Sequence, residues 1–245
     1  MTRALRASLA AALCLLAAPA AASAATPSAA PEGPETVRLS NERSQTRVAM
    51  AELMVKVRSR PDPDAPQGAR LRATTEHGAP EVYLALAETT GTDGDRWVKI
   101  RIPKRPNGQT GWVRREALGR YRLLTTALVV NRKTLRITLF RAGKRAMRFP
   151  IGVGKSRTPT PGGRFWIREK LTYKPDPLYG SRALGTSAYA PKLEDWPLGG
   201  VIGIHGTGQP ELIPGRPSNG CIRMKNGDIG RLYRAVPVGT PVHVI

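Results

Sequence analysis

The sequence predicts a mainly β protein in which a small β-barrel precedes a second domain of antiparallel β-hairpins. Within residues 46–119, short apolar runs alternate with turn clusters, a pattern typical of small barrels. Leu135, Ile137 and Leu139 alternate with polar residues at the two-residue period of a half-buried strand. The helical apolar period is clear in one segment near the C-terminus, so we expect one or two short helices.

The N-terminus has the charge and composition of an export signal. Arg3 and Arg6 precede an apolar run that ends in the small residues Ala22 to Ala24, which form a cleavage site. Because the run is short and alanine-rich for a membrane anchor, we predict that residues 1–24 are a cleaved signal peptide. We therefore expect the mature chain outside the cytoplasm, in the periplasm or cell wall, peripheral to the envelope and without a transmembrane helix.

The chain contains two cysteines, and cleavage would leave one of them in the mature protein. Cys14 would be discarded, and Cys221 would remain without an internal disulfide partner in an oxidising compartment. Such a thiol is either buried and inert, since free cysteine packs as a small apolar side chain, or it is present for chemistry.

The first half of the exported chain divides into two parts. Residues 25–45 are rich in Pro, Ala and Ser and are interpreted as a flexible tether. Residues 46–119 contain "VKVRSRPDPDAP", "RWVKIRI" and "TGWV", and in these stretches they resemble bacterial SH3-like domains. The resemblance implies an SH3-like barrel that either binds the wall, positions a substrate or acts as a spacer.

The remaining chain, residues 122–245, is predicted to form the second domain. The runs "ALVVN" and "LRITLFR" flank a short polar turn, as in antiparallel hairpins. Residues 170–200 lack regular periodicity and are rich in Pro and Gly, so we expect a long loop that closes over a substrate as a lid.

One helix is predicted close to the C-terminus, with Asn226 as its N-cap and Pro237 beyond its end. Its apolar residues recur at i, i+3, i+4 and i+7: Ile229, Leu232, Tyr233 and Val236.

The chain is strongly basic, with 39 Lys and Arg against 18 Asp and Glu and a net charge of +21. Such a charge favours contact with polyanions. Export argues against nucleic acid as the partner, and we identify no nucleic-acid-binding motif. The charge instead indicates wall polymers, stem-peptide carboxylates or lipid head groups, although a solvated basic surface would also account for it.

His205 and Cys221 are separated by a segment so rich in Gly and Pro that it cannot be helical. A loop of this kind can fold back and place the thiol beside the imidazole. A histidine activates a thiol by taking its proton, and a backbone carbonyl on the other ring nitrogen would fix the tautomer. Donors for an oxyanion would come from the N–H groups of Gly220 and Cys221.

A metal site is the competing chemistry. It would need three or more ligands at suitable spacing, and the three histidines, His77, His205 and His243, are far apart in the sequence. We therefore expect no metal and no cofactor.

The stretch "IGIHGTG…RPSNGCIRM", together with "TPTPGGRF" upstream, resembles the L,D-transpeptidase catalytic domain. That family has a histidine-glycine pair followed, about fifteen residues later, by Ser/Thr-x-Gly-Cys-hydrophobic-Arg/Asn. The resemblance implies a β-sandwich fold, with Cys221 as nucleophile and His205 as general base. Gly206 would orient the imidazole through its carbonyl.

The resemblance also assigns the residues around the cysteine. Ser218 and Gly220 would shape the cysteine loop, and Arg223 fills the closing polar position of the motif. Asn219 stands where many members have a second histidine, so its contacts with substrate are left open.

The implied reaction is acyl transfer on peptidoglycan stem peptides, which act as donor and acceptor. Cys221 would attack a stem tetrapeptide and release D-alanine, and an amine of a neighbouring stem would resolve the thioester into a 3→3 cross-link. Carbapenem β-lactams would acylate the same thiol. With the same residues, an L,D-carboxypeptidase or an enzyme attaching a protein to the wall would also be possible, and so would a wall-binding module without activity.

Overall fold

The computed structural model describes residues 35–176, 178–193 and 200–245. The predicted signal peptide and the first part of the predicted tether lie outside the described residues. The described chain is built mainly of β-strands with one α-helix in the described ranges, so the predicted mainly β class is confirmed. No helix in the described part of the chain is long and apolar enough to cross a membrane.

The first sheet contains eight strands, and it encloses its own apolar core around Val57, Tyr83 and Ile100. A short 3₁₀ turn, Arg115–Ala117, follows its seventh strand. The likeness of this sheet to an SH3-like barrel stays a prediction. Its strands are β1 (Val37–Arg38), β2 (Thr46–Met50), β3 (Lys56–Arg58), β4 (Gln67–Arg70), β5 (Val82–Thr90), β6 (Arg96–Arg101), β7 (Thr110–Arg114) and β8 (Arg122–Leu124).

The second sheet contains ten strands in the order β11-β10-β9-β18-β13-β14-β15-β17-β12-β16. Its strands are β9 (Thr126–Asn131), β10 (Arg136–Arg141), β11 (Lys144–Pro150), β12 (Gly152–Gly154), β13 (Gly163–Asp176), β14 (Gly180–Tyr189), β15 (Val201–His205), β16 (Gly215–Ser218), β17 (Ile222–Arg223) and β18 (Pro241–Val244).

The two halves of the second sheet share β13 and pack over one apolar core. The first residues of β13 pair with β18, and its later residues pair with β14. Side chains from both halves meet in this core, among them Leu128, Ile167 and Ile204, none of which is exposed. The arrangement is a β-sandwich, and it fixes the strand ends that carry the candidate site.

Helix α1 (Asn226–Ala235) covers one edge of this core with Ile229 and Leu232. The helix is where the sequence places it, but the prediction that Asn226 is its N-cap is wrong. Lys225 is the N-cap residue, and the Asn226 side chain accepts a hydrogen bond from the Thr207 N–H at 3.0 Å. The asparagine is therefore used to hold a neighbouring loop rather than the helix end.

The prediction of an irregular loop over 170–200 is also wrong for most of its length. Residues from Lys170 onward continue β13, turn near Gly180 and return as β14, which forms a long hairpin. Residues 172–174 are all exposed and residues 183–188 are all buried, so the alternation that reveals a strand is absent from both strands. Gly185 pairs with Glu169 and is required there, because a Cβ would lie 2.6 Å from Glu169 Cγ.

The first sheet packs directly against β13. The Trp166 indole N–H donates to the Val82 carbonyl at 2.7 Å, and the Arg168 guanidinium forms an ion pair with the fully buried Glu81 carboxylate. A buried charge without a partner is costly, so these pairs tie the two sheets together in one relative position.

Candidate active site

A cleft of about 100 Å³ opens at the end of β15, and both His205 and Cys221 line it. The two residues are brought together by parallel pairing of β15 with β17, in which His205 lies opposite Arg223. The Gly- and Pro-rich segment between them folds back as the sequence predicts, through a 3₁₀ turn at Pro210–Leu212 and strand β16.

His205 is buried, with 4% of its surface exposed, and its ring is oriented by a hydrogen bond to the next residue. Its Nδ1 lies 2.7 Å from the Gly206 carbonyl oxygen. A carbonyl accepts but does not donate, so the proton is on Nδ1 and the lone pair is on Nε2. Burial lowers the pKa of His205 to about 4, which leaves a neutral imidazole able to take a proton at neutral pH.

The glycine after the histidine is required by packing. A Cβ on Gly206 would lie 2.2 Å from Asn226 Oδ1 and 3.2 Å from the Gly180 backbone. Since Asn226 accepts the Thr207 N–H, a side chain at position 206 would displace the amide that holds the loop. The histidine-glycine pair therefore has a steric basis in this chain.

Cys221 is half-buried at the cleft, and its Sγ receives the Gly203 N–H at 3.4 Å. Gly203 precedes His205 by two residues in β15, and this strand therefore bears both the donor to the sulfur and the imidazole that lines the same cleft. Burial raises the pKa of the Cys221 thiol, while the Gly203 N–H and the Arg223 charge oppose that rise. The resting site is thus a neutral thiol and a neutral imidazole.

The loop that carries Cys221 is built around two buried hydroxyls. Ser218 Oγ donates to the Cys221 carbonyl at 2.6 Å and accepts the Gly220 N–H at 3.1 Å. Thr160 Oγ1 donates to the Gly220 carbonyl at 2.7 Å and accepts the Gly154 N–H at 2.9 Å. Gly220 itself has a φ of 129°, a conformation that favours glycine.

These hydrogen bonds distinguish the two N–H groups that were predicted to stabilise an oxyanion. The Gly220 N–H is occupied by Ser218, whereas no acceptor for the Cys221 N–H is found among residues 35–176, 178–193 and 200–245. Of the two, the Cys221 N–H is therefore the donor left available for a developing oxyanion.

Replacing Ser218 by alanine is expected to loosen the cysteine loop. The Gly220 N–H and the Cys221 carbonyl would each lose a buried partner, at a cost of about 1–3 kcal/mol. Urea unfolding should report the loss of stability, and acylation of Cys221 by a carbapenem should slow. Ser156→Ala, at an exposed serine, is the matched control; equal effects in the two variants would contradict this role for Ser218.

The two remaining predicted residues lie at the rim of the cleft. Asn219 is exposed, and its Oδ1 is 3.5 Å from Thr158 Oγ1. Arg223 donates through Nη1 to Gln209 Oε1 at 3.2 Å, and its Nε is buried without a hydrogen-bond partner in the described chain. Its charge lies close enough to affect the pKa of both His205 and Cys221.

The other two histidines lie in different parts of the fold. His77 Nδ1 is 2.7 Å from Glu169 Oε1 between the two sheets, and His243 is on β18. Within the described ranges, no group of three His, Cys, Asp or Glu side chains is placed to hold a metal ion.

Sequence reasoning did not place at this site three of the residues that build it, Tyr179, Thr160 and Asn226, the last of which it predicted as the helix N-cap. Tyr179, at the tip of the β13–β14 hairpin, contacts the His205 ring edge-on with a centroid distance of 4.9 Å. Thr160 and Asn226 hold the loops on either side. Thr160 lies within the quoted "TPTPGGRF", but only the fold reveals that it reaches Gly220, sixty residues away in the chain.

Fold and site together define a β-sandwich protein whose cleft is lined by one thiol and one buried imidazole. The family model described as the L,D-transpeptidase catalytic domain, YkuD, matches residues 125–244. YqjB of Bacillus subtilis, named as an L,D-transpeptidase, is 32% identical over 126 residues, which cover 47% of this chain and 68% of that protein. The chain therefore belongs to the L,D-transpeptidase family, and the resemblance found in the sequence is confirmed.

Other relatives match about half of this chain as well. ErfK/SrfK of Escherichia coli K12, also named as an L,D-transpeptidase, is 34% identical over 136 residues, which are 48% of this chain and 43% of that protein. The solved catalytic domain of the E. faecium L,D-transpeptidase is 28% identical and covers 49% of this chain and 96% of that one, with a TM-score of 0.37. The chain thus spans less than half of the length of ErfK/SrfK.

Proposed function

We propose that this protein is a cysteine-dependent L,D-transpeptidase that acts on peptidoglycan outside the cytoplasm. The observation that carries the proposal is the shared cleft, in which Cys221 is half-exposed and His205 has its Nδ1 fixed by a carbonyl at 2.7 Å. Membership of the family supports the reaction class, and the predicted signal peptide supports the location.

In the first half-reaction, Cys221 Sγ attacks the carbonyl carbon of the bond between the third residue of the stem and the terminal D-alanine. The thiol proton passes to His205 Nε2, and the carbonyl oxygen becomes an oxyanion that the Cys221 N–H stabilises. The C–N bond then breaks, and the imidazolium returns its proton to the leaving amine of D-alanine. The product is a thioester on Cys221.

In the second half-reaction, an amine of a neighbouring stem attacks the thioester carbonyl. His205 Nε2 accepts a proton from this amine, the C–S bond breaks, and the thiolate of Cys221 takes the proton back. One amide bond is broken and one is formed, so the cycle consumes no cofactor.

The tip of the β13–β14 hairpin affects whether water or an amine reaches the thioester. Leu178 and Tyr179 line the cleft, and Tyr179 covers an edge of the His205 ring. An apolar cover of this kind keeps water from the thioester and favours an amine as acceptor. We therefore propose that the tip of this hairpin, rather than the whole of residues 170–200, acts as the lid.

The test is to incubate wild-type protein with tetrapeptide-rich sacculi and to identify the digested muropeptides by mass spectrometry. We expect 3→3 linked dimers together with free D-alanine. Tripeptides without dimers would instead identify a carboxypeptidase, and protein-linked fragments would identify wall attachment. Unchanged muropeptides would overturn the proposal.

A further inference from the structure

The loop between β6 and β7 reaches from the first sheet to the end of β14 in the second. Asn107 Nδ2 donates to the Tyr189 carbonyl at 2.8 Å, and Asn107 Oδ1 accepts the Tyr189 N–H at 2.9 Å. One side chain thus satisfies both backbone groups of a strand-end residue, as a neighbouring strand would. The Tyr189 hydroxyl donates back to the Pro103 carbonyl at 3.3 Å.

Arg105 extends this contact beyond the strand. Its Nη2 donates to the Ala190 carbonyl at 2.8 Å and to the Leu193 carbonyl at 3.4 Å, and its guanidinium lies 5.0 Å from the centre of the Tyr189 ring. A planar guanidinium can bridge two carbonyls while it stacks on an aromatic ring, which a lysine ammonium cannot do.

The backbone held by Arg105 is a wall of the candidate active site. Ala190, Leu193 and Gly200 all line the cleft that contains His205 and Cys221. The Ala190 N–H donates to the Gly200 carbonyl at 2.8 Å, and a Cβ on Gly200 would lie 2.1 Å from the Leu193 carbonyl oxygen and 3.1 Å from Arg105 Nη2. The guanidinium therefore sits where the two ends of this wall meet.

We propose that Asn107 and Arg105 are positioning residues for substrate binding, so that the N-terminal sheet sets the shape of the catalytic cleft. The inference rests on the proposed function and assigns to the first sheet a role in the reaction other than that of a spacer. Neither residue lines the cleft. Each acts through the backbone of the wall, residues 189–193 and 200, against which the stem peptide would lie.

Substitution of either residue should impair binding of the donor more than the chemical step. Because displacement of a binding wall by about 1 Å can cost up to about 100-fold, we expect Asn107→Ala and Arg105→Ala to raise KM for a stem tetrapeptide about tenfold, with kcat within about twofold of wild type. Asn107→Asp keeps the acceptor for the Tyr189 N–H and should be intermediate. Arg105→Lys should restore only part of the affinity.

A matched control separates positioning from loss of stability. Thr75 Oγ1 donates to Glu169 Oε2 at 2.6 Å in the same interface between the sheets, and neither residue lines the cleft. We expect Thr75→Ala to lower the melting temperature as much as Asn107→Ala while leaving KM unchanged. Equal KM effects in the two variants, or unchanged KM in both alanine variants at positions 105 and 107, would overturn the inference.

Failure of this inference can be told from failure of the proposed function. The Kd of the tetrapeptide is measured in a Cys221→Ala background, where no chemistry occurs, with and without Asn107→Ala. Peptide binding without any acyl-enzyme in the wild type would overturn the proposed function alone. Normal acylation with unaltered Kd and KM in the Asn107 and Arg105 variants would overturn the positioning role alone, and absence of peptide binding would overturn both.

Discussion

Replacing Cys221 by alanine will abolish covalent modification of the protein by a carbapenem and lower the transfer rate at least about 10⁴-fold. The thiol is the nucleophile that the protein supplies in the proposed cycle, and removal of an attacking side chain typically costs several orders of magnitude in rate. Intact-mass spectrometry after incubation with the β-lactam should show one adduct on the wild type and none on the variant.

The variant is expected to fold, because the side chain is small and the hydrogen bond that its Sγ accepts from the Gly203 N–H, at 3.4 Å, is weak. Circular dichroism and a thermal melt verify this point. An adduct that persists in Cys221→Ala would place the nucleophile elsewhere. A wild-type protein that forms no adduct and no cross-links would instead support a wall-binding module without activity.

The placement of His205 and Cys221 in one cleft was predictable from the sequence because the constraints on it are local. Glycine and proline between His205 and Cys221 exclude a helix, so the chain must turn back. The carbonyl that fixes the imidazole belongs to the next residue, Gly206. Because neighbouring residues set the constraints in a motif of this kind, the order of its residues is enough to indicate the chemistry.

The supporting contacts were not predictable, because their partners are far apart in the chain. Thr160 reaches Gly220, and Asn226 reaches Thr207, through pairings that only the folded sheet creates. An asparagine ahead of an apolar helical period has the pattern of an N-cap, and nothing local distinguishes that role from the one observed.

The β13–β14 hairpin was missed for a different physical reason. Strand prediction depends on alternation between one buried and one exposed face. In this hairpin neither strand shows that alternation: residues 172–174 of β13 are all exposed, and residues 183–188 of β14 are all buried. Pro175, Gly180 and Gly185 in the same segment add the composition of a loop, so the sequence conceals both strands.

Replacing His205 by glutamine should lower the acylation rate about 10²- to 10⁴-fold, the range for loss of a general base. The pKa of His205 is lowered to about 4, first by burial and further by the Arg223 charge, while the Gly206 carbonyl and Asp176 act in the opposite direction. The wild-type rate should therefore show no loss through pH 6.5 and should fall only as the imidazole is protonated near pH 4. Stopped-flow acylation by a carbapenem between pH 4 and pH 8 measures this profile.

The same pKa predicts a change in stability with a definite sign. In the unfolded chain the imidazole takes up a proton below its usual pKa of 6.5, but in the folded protein it does so only below about 4. The unfolded state therefore binds more protons in that window, and folding loses about 2 kcal/mol between pH 7 and pH 4.5. Burial raises the pKa values of Glu42 and Glu76, but their arginine partners lower them further, so both lie below the usual value of 4.5 and these carboxyls titrate in the folded protein below this window. Urea unfolding of wild type and His205→Gln at both pH values isolates the contribution of the histidine to this loss. The variant should lose about 2 kcal/mol less unfolding free energy than the wild type between pH 7 and pH 4.5. Equal losses would mean that the imidazole titrates normally and is open to water.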